Sequence, residues 1–285
     1  MKTTTQTERT WMITGTSRGF GAAIAAAALA AGDAVIGTGR KAEDVTRALG
    51  ASDRLLALNL DVTDPASAAA AVEAALARHG RIDVLVNNAG FGLLGAVEEA
   101  SAAEVERVFR TNVFGLLNVT RAVLPHMRAR RSGHIVNFSS IGGYQSHAGW
   151  GIYCATKFAV EAISEALSLE LAPLGIHATV VEPGFFRTDF LDSKSLLTAS
   201  NVIADYAETA GAMRSFAQGH SHRQPNDPQK LAPAILELVQ SKNPPVRLPL
   251  GRDTIEAIEK KNAFVAQELA EWRRVAESTG FDTDR

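Results

Sequence analysis

Apolar residues fall in short β-branched runs separated by longer stretches with helical spacing. The pattern predicts strands at residues 11–14, 34–38, 55–60, 84–87, 134–138, 178–182 and 246–248. It predicts helices between them, among them 19–31, 65–79, 102–130 and 152–174. The runs DVLVN and HIVNF are apolar almost throughout, as strands covered on both faces of a parallel sheet are. Alternating strand and helix signals imply βαβ units with right-handed crossovers. The expected fold is therefore α/β, a doubly wound parallel sheet of seven strands with helices on both faces.

The pattern breaks after Glu182. Residues 189–227 carry no clear strand and end in the polar stretch QGHSHRQPNDP. A segment this long in a compact domain is usually functional, and it is expected to cover a substrate. Residues 252–278 read as one amphipathic helix, with Ile255, Ile258, Val265, Leu269, Trp272 and Ala276 near one face. That helix is expected to pack on its own domain. The expected organisation is a disordered tail over 1–9, one catalytic domain over 10–251, and the C-terminal helical segment over 252–285.

Composition narrows the partners. The chain has 285 residues, 46% hydrophobic and 21% charged, which suffices for a large core. Lys plus Arg number 29 against 31 Asp plus Glu, so no charge excess points to nucleic acid or an anionic membrane. The one cysteine, Cys154, excludes an intrachain disulfide and a cysteine zinc cluster. It reads as a small packing residue. The run from Gly21 to Gly32 is too short to span a bilayer, and the N-terminal residues lack an apolar signal stretch. A cytoplasmic protein is expected.

Chemistry enters at the first strand end. Thr14 is followed by Gly15, Ser17, Arg18, Gly19, Phe20 and Gly21, then an alanine-rich helix. Glycines there permit positive φ and close approach of a ligand. A pyrophosphate can sit on the helix N-terminus, where free N–H groups attract anions. The second strand ends in Thr38-Gly39-Arg40-Lys41, without the acid that binds an NAD ribose. Arg40, with Arg18 beside it, suits a 2′-phosphate. These residues point to NADP.

Tyr153 and Lys157 lie four apart on a predicted helix and share a face. An ammonium beside a phenol of pKa ~10 favours the phenolate and makes proton exchange with a substrate oxygen feasible. Ser139 and Ser140 end the strand HIVNF, where a hydroxyl can donate to an oxygen gaining charge. Asn88, Ala89 and Gly90 end the fourth strand at the same ligand edge. Asn112 lies inside a predicted helix, where asparagine is a weak former.

In this order the motifs TGTSRGFG (14–21), NNAG (87–90), Asn112, NFSS (137–140), YCATK (153–157) and PGFFRT (183–188) resemble the short-chain dehydrogenase/reductase family. The resemblance covers roughly residues 10–250. It implies a single-domain Rossmann fold. It also implies Tyr153 as general acid-base, Ser140 as stabiliser of the substrate oxygen, and Lys157 on the nicotinamide ribose. Asn112 would hold a water in a proton relay. Pro183, Gly184, Phe186 and Thr188 would cradle the nicotinamide amide. Asp61 and Val62 would flank the adenine, and Asn88 would lie near the adenosine ribose.

The resemblance implies reduction of a ketone or aldehyde by NADPH, with no metal. Apolar residues expected at the substrate are Leu93, Gly142, Tyr144, Trp150 and Phe185, with Leu94 and Phe186 near by, and they favour an apolar or aromatic carbonyl compound. Competing readings are an NADP-linked alcohol dehydrogenase acting in oxidation and a non-catalytic NADP-sensing regulator. The long tail resembles the hydroxysteroid and retinol dehydrogenase-like branch. The expected assembly is a homodimer.

Overall fold

A computed structural model of the chain describes residues 8–281, and all counts below refer to them. Residues 1–7 of the expected N-terminal tail, and 282–285, lie outside the described residues. The elements run β1 (Thr10–Thr14), α1 (Gly19–Ala30), β2 (Ala34–Gly39), α2 (Ala42–Leu49), β3 (Leu55–Asn59), α3 (Pro65–His79), β4 (Val84–Asn87) and β5 (Gly92–Leu94). Then come α4 (Ala102–Phe109), α5 (Leu116–Arg130), β6 (Gly133–Phe138), α6 (Gly151–Leu171), β7 (Ile176–Pro183) and β8 (Leu196–Thr198). The chain closes with α7 (Ala212–His220), α8 (Pro228–Gln240), β9 (Arg247–Leu250) and α9 (Arg252–Glu277).

Seven parallel strands form the main sheet in the order β3-β2-β1-β4-β6-β7-β9. Period-two alternation divides each strand between two cores. Trp11 and Ile13 of β1 face one side with Ile24 of α1 and Ile235 of α8. Met12 faces the other side with Val72 of α3, Val123 of α5 and Leu167 of α6. The chain starts at β1, runs outward to β3, and returns to β4 before running the other way. The crevice at this reversal lies beyond the carboxyl ends of β1 and β4, where doubly wound sheets bind ligands.

Local chemistry sets the helix ends. Asp64 accepts from the Ala66 N–H at 2.9 Å, and Pro65 opens α3. Ser101 and Glu104 form a reciprocal capping box at α4. The single helix predicted over 102–130 is instead two, joined by a π-helical turn at Arg110–Gly115. The widened turn carries Asn112, whose side chain is drawn inward onto neighbouring segments.

The segment 189–227 does contain a strand, contrary to the sequence expectation. β8 pairs in parallel with β5, from Gly92 opposite Leu196 to Leu94 opposite Thr198. Three residues are too few to show a period. The segment is also anchored by charge. Arg214 of α7 meets the buried Glu99 at 2.6 Å, and Glu99 accepts from the Ala96 and Ile203 N–H groups.

The C-terminal helix differs most from expectation. α9 meets β9 and the short turn Ile141–Gly143 only through its first turns, and Thr254 is its buried residue. Every residue from 263 to 281 is exposed. The amphipathic pattern is real, but its apolar face extends past the domain that was expected to cover it. Among the described residues, no helix is long and apolar enough to cross a membrane.

Candidate active site

The glycine turn between β1 and α1 is locked to the loop after β4. Gly15 and Gly19 adopt φ of +73° and +57°, which glycine takes without strain. A side chain on Gly21 would lie 2.6 Å from Asn88 Nδ2, so only glycine lets α1 pack this closely. Asn88 Nδ2 donates to the carbonyls of Thr14 and Gly15. Thr14 Oγ1 accepts from the Asn88 and Ala89 N–H groups, each at 3.0 Å. Thr14 is thus the peg of both loops.

A cavity of about 600 Å³ opens over this turn. It is lined by Arg40, Asp61 and Val62 and by Gly15, Ser17, Arg18, Gly19 and Phe20 of the turn. Asn88, Ala89 and Gly90 line it from the loop after β4, and Pro183, Gly184, Phe185, Phe186 and Thr188 from the end of β7 and beyond. Ser140, Gly142, Trp150, Tyr153 and Lys157 line it as well. Gly21 lies beneath the turn, where it sets packing. Arg18 makes no side-chain cap on α1; its Nη2 reaches across to the Lys194 carbonyl at 2.7 Å.

The strand end and α6 bring the proton-transfer groups together. A β-carbon at Gly142 would lie 3.5 Å from Ser140 Oγ and 3.6 Å from the Tyr153 ring. Ser139 also borders the cavity, but it is buried, with its hydroxyl toward the Lys157 carbonyl. Lys157 donates from Nζ to the Phe138 carbonyl at 2.8 Å. Burial lowers its pKa to about 8, against the opposing charge of Glu161.

The expected depression of the tyrosine does not appear. Burial pushes the Tyr153 hydroxyl well above its ordinary range, and the Ser140 hydroxyl draws it partly back. Lys157 Nζ sits 5.7 Å from the Tyr153 ring centroid and is committed to Phe138. Desolvation outweighs the ammonium here.

Asn112 stands behind the cavity wall. Its Oδ1 accepts from the Phe91 N–H at 3.1 Å, and its Nδ2 donates to the Phe91 carbonyl and to Thr156 Oγ1. A β-carbon at Gly90 would meet Asn112 Oδ1 at 3.1 Å and Lys157 Nζ at 3.8 Å, so the two side chains flank Gly90.

Two expected substrate residues face elsewhere. Leu93 of β5 is fully buried in the body, because the pairing with β8 turns it inward. Tyr144 leaves the cavity: its hydroxyl donates to Asn262 of α9 at 2.6 Å, and its ring receives Arg247 at 5.9 Å. Leu94 packs with Trp150 and Tyr153. The cavity also takes residues that sequence reasoning did not single out, notably Phe190, Lys194 and Gln224. Phe190 stacks on Trp150 at 6.4 Å and tilts over Tyr153 at 5.6 Å. Phe190 follows closely on the PGFFRT motif, and that nearness was the available signal.

Burial also pushes the Cys154 thiol up, consistent with a packing residue. Asp189, Asp192 and His222 gather at the exposed edge of the insertion, their ligand-type atoms within 4.8 Å of one another. Ser221 donates to Asp192 there.

A family model described as short chain dehydrogenase matches residues 9–196. A 3-ketodihydrosphingosine reductase from Bacteroides thetaiotaomicron is 41% identical over 84% of this chain and 87% of its own. The crystal structure of a short-chain dehydrogenase from Streptomyces avermitilis superimposes with a TM-score of 0.90 at 44% identity, over 96% of this chain and 99% of that one. A 3-ketoacyl-(acyl-carrier-protein) reductase from Brucella melitensis, complexed with NADH, does so with a TM-score of 0.71 at 27% identity, over 85% and 96%. The chain belongs to the short-chain dehydrogenase/reductase family and is an oxidoreductase of it.

Proposed function

We propose that this oxidoreductase reduces an apolar or aromatic ketone or aldehyde to an alcohol, using NADPH, with Tyr153 as proton donor. The observation that carries this reading is the convergence of Ser140 Oγ and the Tyr153 ring on one wall of the cavity built over the glycine turn. The cradle fits a dinucleotide: Gly21 leaves no room for a side chain, and the first-turn N–H groups of α1 lack a side-chain cap. When bound, NADPH supplies the hydride at its nicotinamide C4.

The chain's own residues do the rest. The Ser140 hydroxyl donates to the substrate oxygen and stabilises the charge that develops there. Tyr153 gives that oxygen its proton; burial holds its phenol in the protonated form that can donate. Lys157 holds positive charge beneath the site and is fixed by the Phe138 carbonyl. Asn112 positions the Gly90–Phe91 segment against Thr156 and so backs Lys157. Pro183, Gly184, Phe186 and Thr188 take the nicotinamide end, while Asp61 and Val62 take the adenine.

The NADH-bound relative leaves the choice of dinucleotide to this chain's own side chains. Arg18 and Arg40 line the cavity, and β2 ends in Gly39 with no acid beside it. Trp150, Phe185 and Phe190 make the substrate end apolar. The 3-ketodihydrosphingosine reductase makes its own named ketone one member of a test panel. Ketones and aldehydes of graded chain length and aromaticity, offered with NADPH or NADH, test the reading by loss of reduced-cofactor absorbance. Turnover of apolar carbonyls with NADPH above NADH is expected. Equal rates with both cofactors, or turnover confined to small polar carbonyls, would contradict it.

A further inference from the structure

We propose that α9 is a dimerisation element that pairs in parallel with α9 of a second copy of this chain. The proposal is independent of the reaction. A solitary helix in water is marginal, and stability normally comes from packing one face. Here Val265, Leu269 and Trp272 are 47%, 54% and 64% exposed in the single chain.

The spacing of the apolar face says what kind of surface covers it. Ile258, Asn262, Val265, Leu269, Trp272 and Ala276 follow one another at intervals of four, three, four, three and four. That is the alternation of a and d positions in a heptad, with Asn262, Leu269 and Ala276 at a. A helix lying on a globular surface carries a broader apolar stripe, whereas a narrow a/d seam suits another helix in a left-handed supercoil. Phe264 lies off this seam, and Lys261 covers its ring at 5.2 Å.

Charge and the one polar seam residue choose the partner and its direction. In parallel register, Glu268 at g faces Arg273 of the second copy at e, and symmetry repeats the pair. Lys261 faces Ala266 of the second copy, so no like charges oppose in these turns. In the antiparallel alignment that layers Val265 on Leu269, Glu268 faces its own counterpart. Asn262 is the kind of single polar a residue that fixes register. Tyr144 occupies its Oδ1 at 2.6 Å, leaving its amide N–H groups for the second copy.

The test uses the full chain. Light scattering across a micromolar range is expected to give the mass of two chains. Leu269→Glu and Trp272→Glu, both exposed in the single chain, are expected to halve that mass while dinucleotide binding and basal activity stay unchanged. Val265→Cys should crosslink copy to copy under mild oxidation, because d positions face each other only in the parallel pair; buried Cys154 stays silent. A single-chain mass throughout would overturn the proposal, as would a dimer that survives both substitutions. A dimer in which Val265→Cys pairs only with an added Leu269→Cys would overturn the parallel seating. Single chains that co-sediment with anionic phospholipid vesicles would place the seam on lipid instead and overturn it too.

Discussion

The buried carboxyls of Glu182 and Glu161 share one cation, Arg247, which lies 3.9 Å from Glu182 and 3.1 Å from Glu161, and neither Glu182 oxygen has a hydrogen-bond partner among the described residues. The nearer guanidinium favours charge on Glu161, while burial raises both carboxyls. Burial, with the Glu161 charge next, pushes the Glu182 pKa up to about 8. The unfolded chain loses that proton near 4.5, so between these values the folded state binds more protons. Stability from this group is complete below pH ~4.5 and is lost as pH rises toward 8. Thermal melts of the wild type should fall by several degrees from pH 5 to pH 8. Glu182→Gln, which keeps the shape and cannot ionise, should flatten that slope; an unchanged slope would show that Glu182 is ionised already.

Arg40 and Arg18 both line the cavity and are the residues proposed to hold the 2′-phosphate. Hydrogen bonds to a charged group contribute roughly 1.5–3 kcal/mol, or about 10- to 100-fold in affinity. Arg40→Ala should therefore weaken NADPH by that order and leave NADH nearly unchanged. Fluorescence titration with both cofactors measures it, and equal losses would remove the 2′-phosphate argument.

Glu99 fastens the insertion to the body. Arg214 holds its carboxyl down to about 2, and the Ile203 N–H donates to it from the insertion. Arg214→Ala leaves a buried carboxylate without its counter-charge. The variant should raise substrate KM several-fold and expose residues 189–227 to limited proteolysis, with dinucleotide affinity little changed. Unaltered proteolysis would show that β8 alone holds the segment.

Much of the frame was legible from sequence because its signals are local. Most strands carry a short apolar run, such as WMI in β1 and VLV in β4, and α3 begins with Asp64-Pro65 and ends before Gly80, so its limits are those expected. The glycine turn, Ser140, Tyr153 and Lys157 share one cavity as their spacing on adjacent elements implies. What escaped depends on distant partners. β8 exists only through β5, and Leu93 turns inward through the same pairing. Tyr144 points away because Asn262, 118 residues later, accepts its hydroxyl. The π-turn at Asn112 answers to Phe91 and Thr156, neither of them neighbours in sequence. The Tyr153 pKa reversed direction because spacing reports an ammonium nearby but says nothing of burial.

The proton-donor role of Tyr153 is tested most directly by Tyr153→Phe, which removes the hydroxyl and keeps the ring packed between Trp150 and Phe190. Steady-state reduction of an apolar ketone and NADPH binding are measured on the same preparation. Loss of one general acid costs roughly 10²–10⁴-fold. The account predicts a fall in turnover of that size with NADPH affinity near wild type. Turnover retained within a few-fold would contradict it.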